Sequence, residues 1–333
     1  MPRKHQYYGG IIGASPFATP WDGSGAEFLL VGGGGSGGRG PGAGGGGAGG
    51  MVVGTNQTFS LSTPYSIVIG RGGDHGATNT EDNGENSTFS FQSLVATGGG
   101  RARQVAYNTA QTGAPGGSGG GGSGGWRQSP LSGGSATQAS YSALTGITGY
   151  GNAGGTSADW YPNEEYYGAG GGGAGSAGVN GVNSSRLAGD GGDGRQWGVD
   201  GQYYAGGGGG TAFDDNTSNA TLTTASRGSG GLGGGGAGLW RNQTNTGTLG
   251  AVAGSPNTGG GGGGGTTSGY TQNGQGGSGV FKIWVPVANY TDYLVGAELT
   301  EAASQQVTYG GTAGTLITIT ASSGTSTNTI TFN

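Results

Sequence analysis

Two histidines, His5 and His75, are the only side chains whose ordinary pKa lies near neutrality. His75 follows Asp74 in Arg71-Gly-Gly-Asp-His-Gly. Neighbours in sequence do not supply the spaced orienter, base and nucleophile of a catalytic triad, so this segment reads as a solvated turn. Acidic residues cluster at Glu164-Glu165, Asp214-Asp215 and Asp190/Asp193. Paired carboxylates are what glycoside hydrolysis needs, yet adjacent acids in polar loops read as solvated charge. Asp190 and Asp193, in Gly189-Asp-Gly-Gly-Asp-Gly, also gather hard oxygens beside tight turns, as Ca²⁺ prefers. The segment Glu81-Asp-Asn-Gly-Glu-Asn does the same, and neither has EF-hand spacing. With no cysteine there is no disulfide, thiolate metal site or cysteine nucleophile. Neither lysine, Lys4 or Lys282, completes a Gly-Lys-Ser/Thr phosphate loop. The expectation is a non-enzymatic protein without a cofactor, Ca²⁺ at Asp190 and Asp193 being the exception to test.

Recognition chemistry has better candidates. Large rings stand beside charge at Trp126-Arg127, Trp160-Tyr161, Tyr166-Tyr167, Trp197, Phe213 and Trp240-Arg241. Aromatic faces with polar neighbours bind sugars and protein loops, and Trp, Tyr and Arg dominate interface hot spots. The alternative for each ring is packing over the end of a glycine tract.

Those tracts are the elements that must position the rings. Gly is 91 of 333 residues, roughly four times its usual share. Nine tracts recur, beginning at 32–50 and continuing at 98–100, 116–125, 168–178, 189–194, 206–210, 228–238, 259–265 and 274–279. They keep no Gly-X-Y register, which excludes collagen. Disordered chains are poor in aromatics, whereas this one holds 15 Tyr, 8 Phe and 6 Trp. An ordered tract of this composition is an extended three-fold helix whose N–H and C=O groups point outward. Such rods must bundle to satisfy their backbone, and Gly is required where backbones approach closely.

Strand signals flank the tracts. Residues 26–31, 58–61, 65–70, 87–91 and 94–97 are short and rich in β-branched or aromatic residues. Residues 279–287 follow a glycine tract and are expected to return to the sheet of the first part. Beyond them Gly thins and Thr rises, and residues 315–320 and 325–332 alternate around Ala321-Ser-Ser-Gly as an expected hairpin. No segment keeps a capped helical period. The predicted fold is mostly β, a small sandwich-like antiparallel unit bearing a bundle of polyglycine helices. The expected organisation is an arm at 1–25, a glycine-rich domain at 26–287 and a β-segment at 288–333. The arm either docks on a partner or packs on its own domain.

A net charge of −5, with charged residues at 9%, leaves no basic footprint for nucleic acid. No apolar run reaches the length of a membrane span, and residues 1–8 lack the apolar core of a secretory signal. A polar, aromatic exterior without an export signal suits a virion protein made in the cytoplasm and released by lysis.

The chain resembles the glycine-rich domain of bacteriophage tail-fibre and tail-tip adhesins. The likeness rests on Phe28-Leu-Leu-Val-Gly-Gly-Gly-Gly, Tyr65-Ser-Ile-Val-Ile-Gly-Arg-Gly-Gly and Gly276-Gly-Ser-Gly-Val-Phe-Lys-Ile-Trp. Tyr204-Ala205 leading into 206–210 and Thr258 leading into 259–265 fit it as well. The resemblance implies a β-unit carrying glycine helices, with host recognition by loops at the far end of the bundle. Its implied partners are a bacterial surface protein or glycan, sibling chains, and virion proteins met through the arm and the C-terminal hairpin. Two other readings stay open: a purely architectural virion component, and an ice-binding protein presenting a flat glycine face.

Overall fold

A computed structural model describes residues 20–74, 82–104, 111–124, 130–158, 165–214, 226–241, 248–266, 273–322 and 328–333. The described chain is mostly β, with one 3₁₀ turn at Phe91–Ser93 and no α-helix. Two sheets face each other. One holds six strands in the spatial order Leu299–Tyr309, Thr312–Ser322, Val280–Val285, Ala26–Val31, Met51–Gln57 and Ile147–Tyr150. The other holds five, in the order Tyr293–Val295, Thr329–Phe332, Pro64–Val68, Ser87–Phe89 and Leu94–Ala96. All pairings within these two sheets are antiparallel.

Strand periodicity explains the packing. In Ala26–Val31, Phe28 and Leu30 enter the core between the sheets, while Leu29 and Val31 join a cluster on the other face. In Val280–Val285, Phe281 and Ile283 face the core, and Val280 and Trp284 the opposite cluster. Both faces are covered, which is why these strands read as continuous apolar runs. The core is densely aromatic: Phe59, Phe89 and Phe91 lie within 4.4–6.0 Å of one another, centroid to centroid. Val280–Val285 pairs with Ala26–Val31, so it does return to the first sheet.

Two expected strands are corrected. The segment 58–61 is not a strand; the strand is Met51–Gln57, directly after a glycine tract. Gly54 stands opposite Phe28, and a Cβ there would collide with the Phe28 ring, so this glycine serves the core. The expected hairpin of 315–320 with 325–332 does not form. Thr312–Ser322 turns back through Gly310 and Gly311 onto Leu299–Tyr309, while Thr329–Phe332 joins the other sheet beside Pro64–Val68. Ile317, Ile319, Ile330 and Phe332 do meet, across the sandwich interior instead of along one ribbon. Alternation alone cannot say whether two apolar faces share a sheet or oppose each other.

The glycine tracts run on from the strands, and the hydrogen-bond period changes from two to three. The N–H groups of Gly32, Gly35 and Gly38 donate to Gly50, Gly47 and Gly44. Those of Gly33 and Ser36 donate to Glu85 and Asp82, and those of Gly34 and Gly37 to Gly277 and Gly274. Successive amides thus leave in three directions, as an extended three-fold helix requires. The returning segment 44–50 is an interior rod of the bundle. It donates from Gly45 and Ala48 to Ala169 and Gly172, from Gly46 and Gly49 to Gly262 and Gly259, and from Gly47 and Gly50 to Gly100 and Thr97. It accepts from the rod at 32–38, from Gly121 and Ser118, and from Gly208. This rod therefore has six neighbours, as do those at 168–172, 206–210 and 259–265, an arrangement only near-absent side chains permit.

Candidate functional site

The bundle has two unlike ends. At the near end its rods continue into the sandwich. At the far end the segment 39–43 turns the chain between the first two rods, and Arg39 bridges to Gly265. Beside that turn lies a small four-stranded sheet of Glu165–Tyr167, Ala212–Asp214, Trp240–Arg241 and Thr248–Leu249. Thr211 donates its N–H to Ala43, and Gly124 donates to Gly42, which ties this sheet to the turn.

Five of the sequence-predicted residues meet here. The rings of Tyr166 and Phe213 are 6.2 Å apart, and the Arg241 guanidinium stands 5.3 Å from the Phe213 centroid. Tyr167 and Trp240 share a cluster with Ala158, Ala188 and Ala212. Tyr167 is fully buried and donates its hydroxyl to Glu165 Oε2 at 2.9 Å. The buried Glu165 carboxylate also faces the Arg186 guanidinium at 3.4 Å. The Trp240 indole Nε1 and the Thr211 hydroxyl are buried with no hydrogen-bond partner among the described residues. Tyr166, Phe213 and Trp240 are themselves buried, so they cap the rod ends and build a floor. Trp126, Arg127, Trp160 and Tyr161 lie outside the described residues. Their described neighbours Gly124 and Ala158 belong to this end, Ala158 donating to Tyr167.

A family model described as a glycine-rich domain matches residues 12–285, most of the chain. The chain belongs to this glycine-rich domain family. No curated protein and no solved structure matches it.

The remaining candidates sit elsewhere in the glycine-rich domain. Trp197 is buried at the near end, in the cluster on the outer face of the six-stranded sheet with Leu29, Met51, Trp284 and Leu316. It belongs to a short hairpin of Arg195–Gln196 and Tyr203–Tyr204 that straps this face. Asp200 in the strap pairs with Lys282 at 2.7 Å and accepts the Tyr204 hydroxyl at 2.7 Å. Burial and the neighbouring carboxylate push the Tyr204 hydroxyl pKa up strongly, so it stays a donor. No local sequence signal marks this triad, because its members come from two distant segments.

Asp190 and Asp193 are exposed and already engaged. Asp190 accepts the Ser229 N–H at 2.6 Å, and Asp193 accepts the Leu232 N–H at 2.9 Å. Asn86 and Asn83 treat the next rod alike, accepting from Gly98 and Arg101. The signal was available in the sequence: an Asx pair three residues apart matches the rod's period, so both side chains point the same way. These side chains satisfy amides of a peripheral rod. Among the described residues no group of three or more His, Cys, Asp or Glu is placed to hold a metal. No described helix is long and apolar enough to cross a membrane.

Proposed function

We propose that this glycine-rich domain protein is a bacteriophage virion component, a tail-fibre or tail-tip adhesin that binds a bacterial surface protein or glycan. The observation that supports it is the polarity of the molecule. Trp21 and Phe332, near the two described ends of the chain, pack together with ring centroids 5.3 Å apart. Both lie at the end of the sandwich away from the rods, since Ala26–Val31 runs from Trp21 toward the bundle and Thr331 pairs with Pro64. The rod turns and the aromatic sheet occupy the opposite end. A rigid six-neighbour bundle between them suits a spacer that attaches by one end and presents loops at the other. In this reading the protein performs no catalysis and needs no cofactor. It works as a virion structural protein, with sibling chains as further partners.

Trp126 and Trp160 are the receptor-contact candidates that follow in sequence the described residues Gly124 and Ala158 of this end. The test is binding of fluorescently labelled protein to a panel of bacterial strains, with Trp126→Ala and Trp160→Ala beside it. Saturable binding to a few strains, lost in a variant with an unchanged melting temperature, is the expected result. Absence of binding to every strain would overturn the adhesin reading and leave a purely architectural role. The buried Tyr166, Phe213 and Trp240 already fit that second reading as packing.

A further inference from the structure

The sandwich carries a cleft of its own, far from the aromatic end of the bundle. It opens at the end of Met51–Gln57, between the Phe91–Ser93 turn and the segment 143–146. Its volume is about 620 Å³, and Thr55, Asn56, Thr58, Phe91, Gln92 and Thr145 contribute to its walls. The loop on one side is anchored by Tyr141, whose hydroxyl accepts the Val95 N–H at 2.8 Å and donates to the Val95 carbonyl at 2.9 Å. On the floor, the buried Gln57 amide donates to the carbonyls of Thr55 and Thr145.

Three features of the cleft point to a ligand and to its class. First, none of the described residues that line it is charged, in a chain with net charge −5. Second, the side chains of Asn56, Thr58, Gln92 and Thr145 are exposed and make no hydrogen bond among the described residues. They offer amide and hydroxyl groups that both donate and accept. The Phe91 ring packs on the core through one side and is half-buried, leaving an apolar edge at the cleft. Third, the backbone is held in a region that is costly for Gln92 and Ser93, though one an asparagine tolerates. Asn56, Gln92 and Ser93 have φ of 51°, 51° and 56°, in the left-handed region that glycine occupies without penalty. A molecule with 91 glycines keeps a glutamine at such a position, which places an amide at the mouth of the cleft.

We propose that this cleft binds a neutral saccharide. Hydroxyl-rich ligands need two-way hydrogen bonding without charge and an apolar edge against which a ring face can lie. The inference is independent of the adhesin reading.

The test is a titration of the isotope-labelled full chain, followed by amide NMR, with neutral oligosaccharides of glucose, mannose and N-acetylglucosamine up to about 5 mM. The expected result is saturable shifts for at least one neutral sugar, centred on 55–58, 91–93 and 143–146. A uronic-acid oligomer should bind no more tightly, since no Arg or Lys is among the described residues that line the cleft. Gln92→Gly removes the amide while relieving the backbone, so it should keep or raise the melting temperature and weaken binding about tenfold. Asn56→Ala should weaken it as well. Silence from every neutral sugar, shifts centred elsewhere, or undiminished binding in Gln92→Gly would overturn the proposal. So would a Ser/Thr-rich peptide shifting these amides where no sugar does. Cell binding that survives Gln92→Gly would leave the adhesin reading untouched.

Discussion

Gly46→Ala tests the bundle in its interior. Gly46 donates to Gly262 and accepts from Gly208, each at 2.8 Å, and lies in a rod with six neighbours. A Cβ built there would come closer than 3.0 Å to the Gly35 carbonyl and to the Ser36 oxygen, both backbone groups of the adjacent rod. Neither can rotate away as a flexible side chain would. The two rods must part, and the Gly35→Gly47 bond of 2.8 Å between them lengthens beyond hydrogen-bond range. Each buried backbone group left unpaired costs about 1–3 kcal/mol, and overpacking strain adds about 1–3 kcal/mol. The expected loss is about 3–6 kcal/mol, a large part of a typical domain stability of about 5–15 kcal/mol. Two controls separate packing from glycine's other properties. Gly198→Ala puts a Cβ 3.5 Å from the Tyr309 ring, an ordinary contact, and should change stability by less than about 0.5 kcal/mol. Gly310 has φ of +57° with no atom within 4 Å of a Cβ, so Gly310→Ala should cost about 1–2 kcal/mol through backbone strain alone. Urea unfolding of the three variants reads these differences directly. If Gly46→Ala falls within about 1 kcal/mol of Gly198→Ala, close backbone approach is not what holds the rods together.

The same geometry extends to Gly172→Val and Gly207→Val, whose Cβ atoms would meet the carbonyls of Asn152 and Gly171, and both should lower the melting temperature. Asp193→Ala should cost about 1 kcal/mol by freeing the Leu232 amide, and Asp193→Asn should recover most of it, since an amide oxygen still accepts. Ca²⁺ and a chelator should leave the melting temperature of the parent protein unchanged, because its Asp190 and Asp193 carboxylates are occupied by backbone amides. A rise with Ca²⁺ that vanishes in Asp193→Asn would restore a metal role. Lys282→Met leaves the Asp200 carboxylate of the strap without its cation and should cost about 3 kcal/mol. Adding Asp200→Asn to it should recover part of that loss, and urea unfolding of the single and double variants checks both.

Much of the sandwich was legible along the chain. Ala26–Val31 and Val280–Val285 are apolar runs bounded by glycine, and their return to one sheet followed from that symmetry. Met51–Gln57 was missed because its polar second half and Gly54 weaken the strand signal. The reason for Gly54 is the Phe28 ring opposite it, a contact across strands. The aromatic candidates were legible as a set but not as a place. Tyr166, Phe213, Trp240 and Arg241 come together through pairings between segments dozens of residues apart. Trp197 carries the same composition and ends at the sandwich, within a strap no local pattern reveals.

Composition by itself determined that the glycine tracts had to bundle or stay disordered, since a backbone without side chains finds its hydrogen-bond partners in water or in whatever packs against it, mostly other backbones. It also determined that the chain would be β-rich with almost no helix, because tracts of Gly and runs of Thr, Val and Ile disfavour the helical state. Tertiary structure alone decided which tracts lie in the interior, which neighbours run parallel to them, and which strands share a sheet. Glycine-rich segments differ too little from one another for local sequence to specify a partner. The neighbours are instead selected by where the strands and turns deliver each rod, and those deliveries are set by the aromatic core of the sandwich.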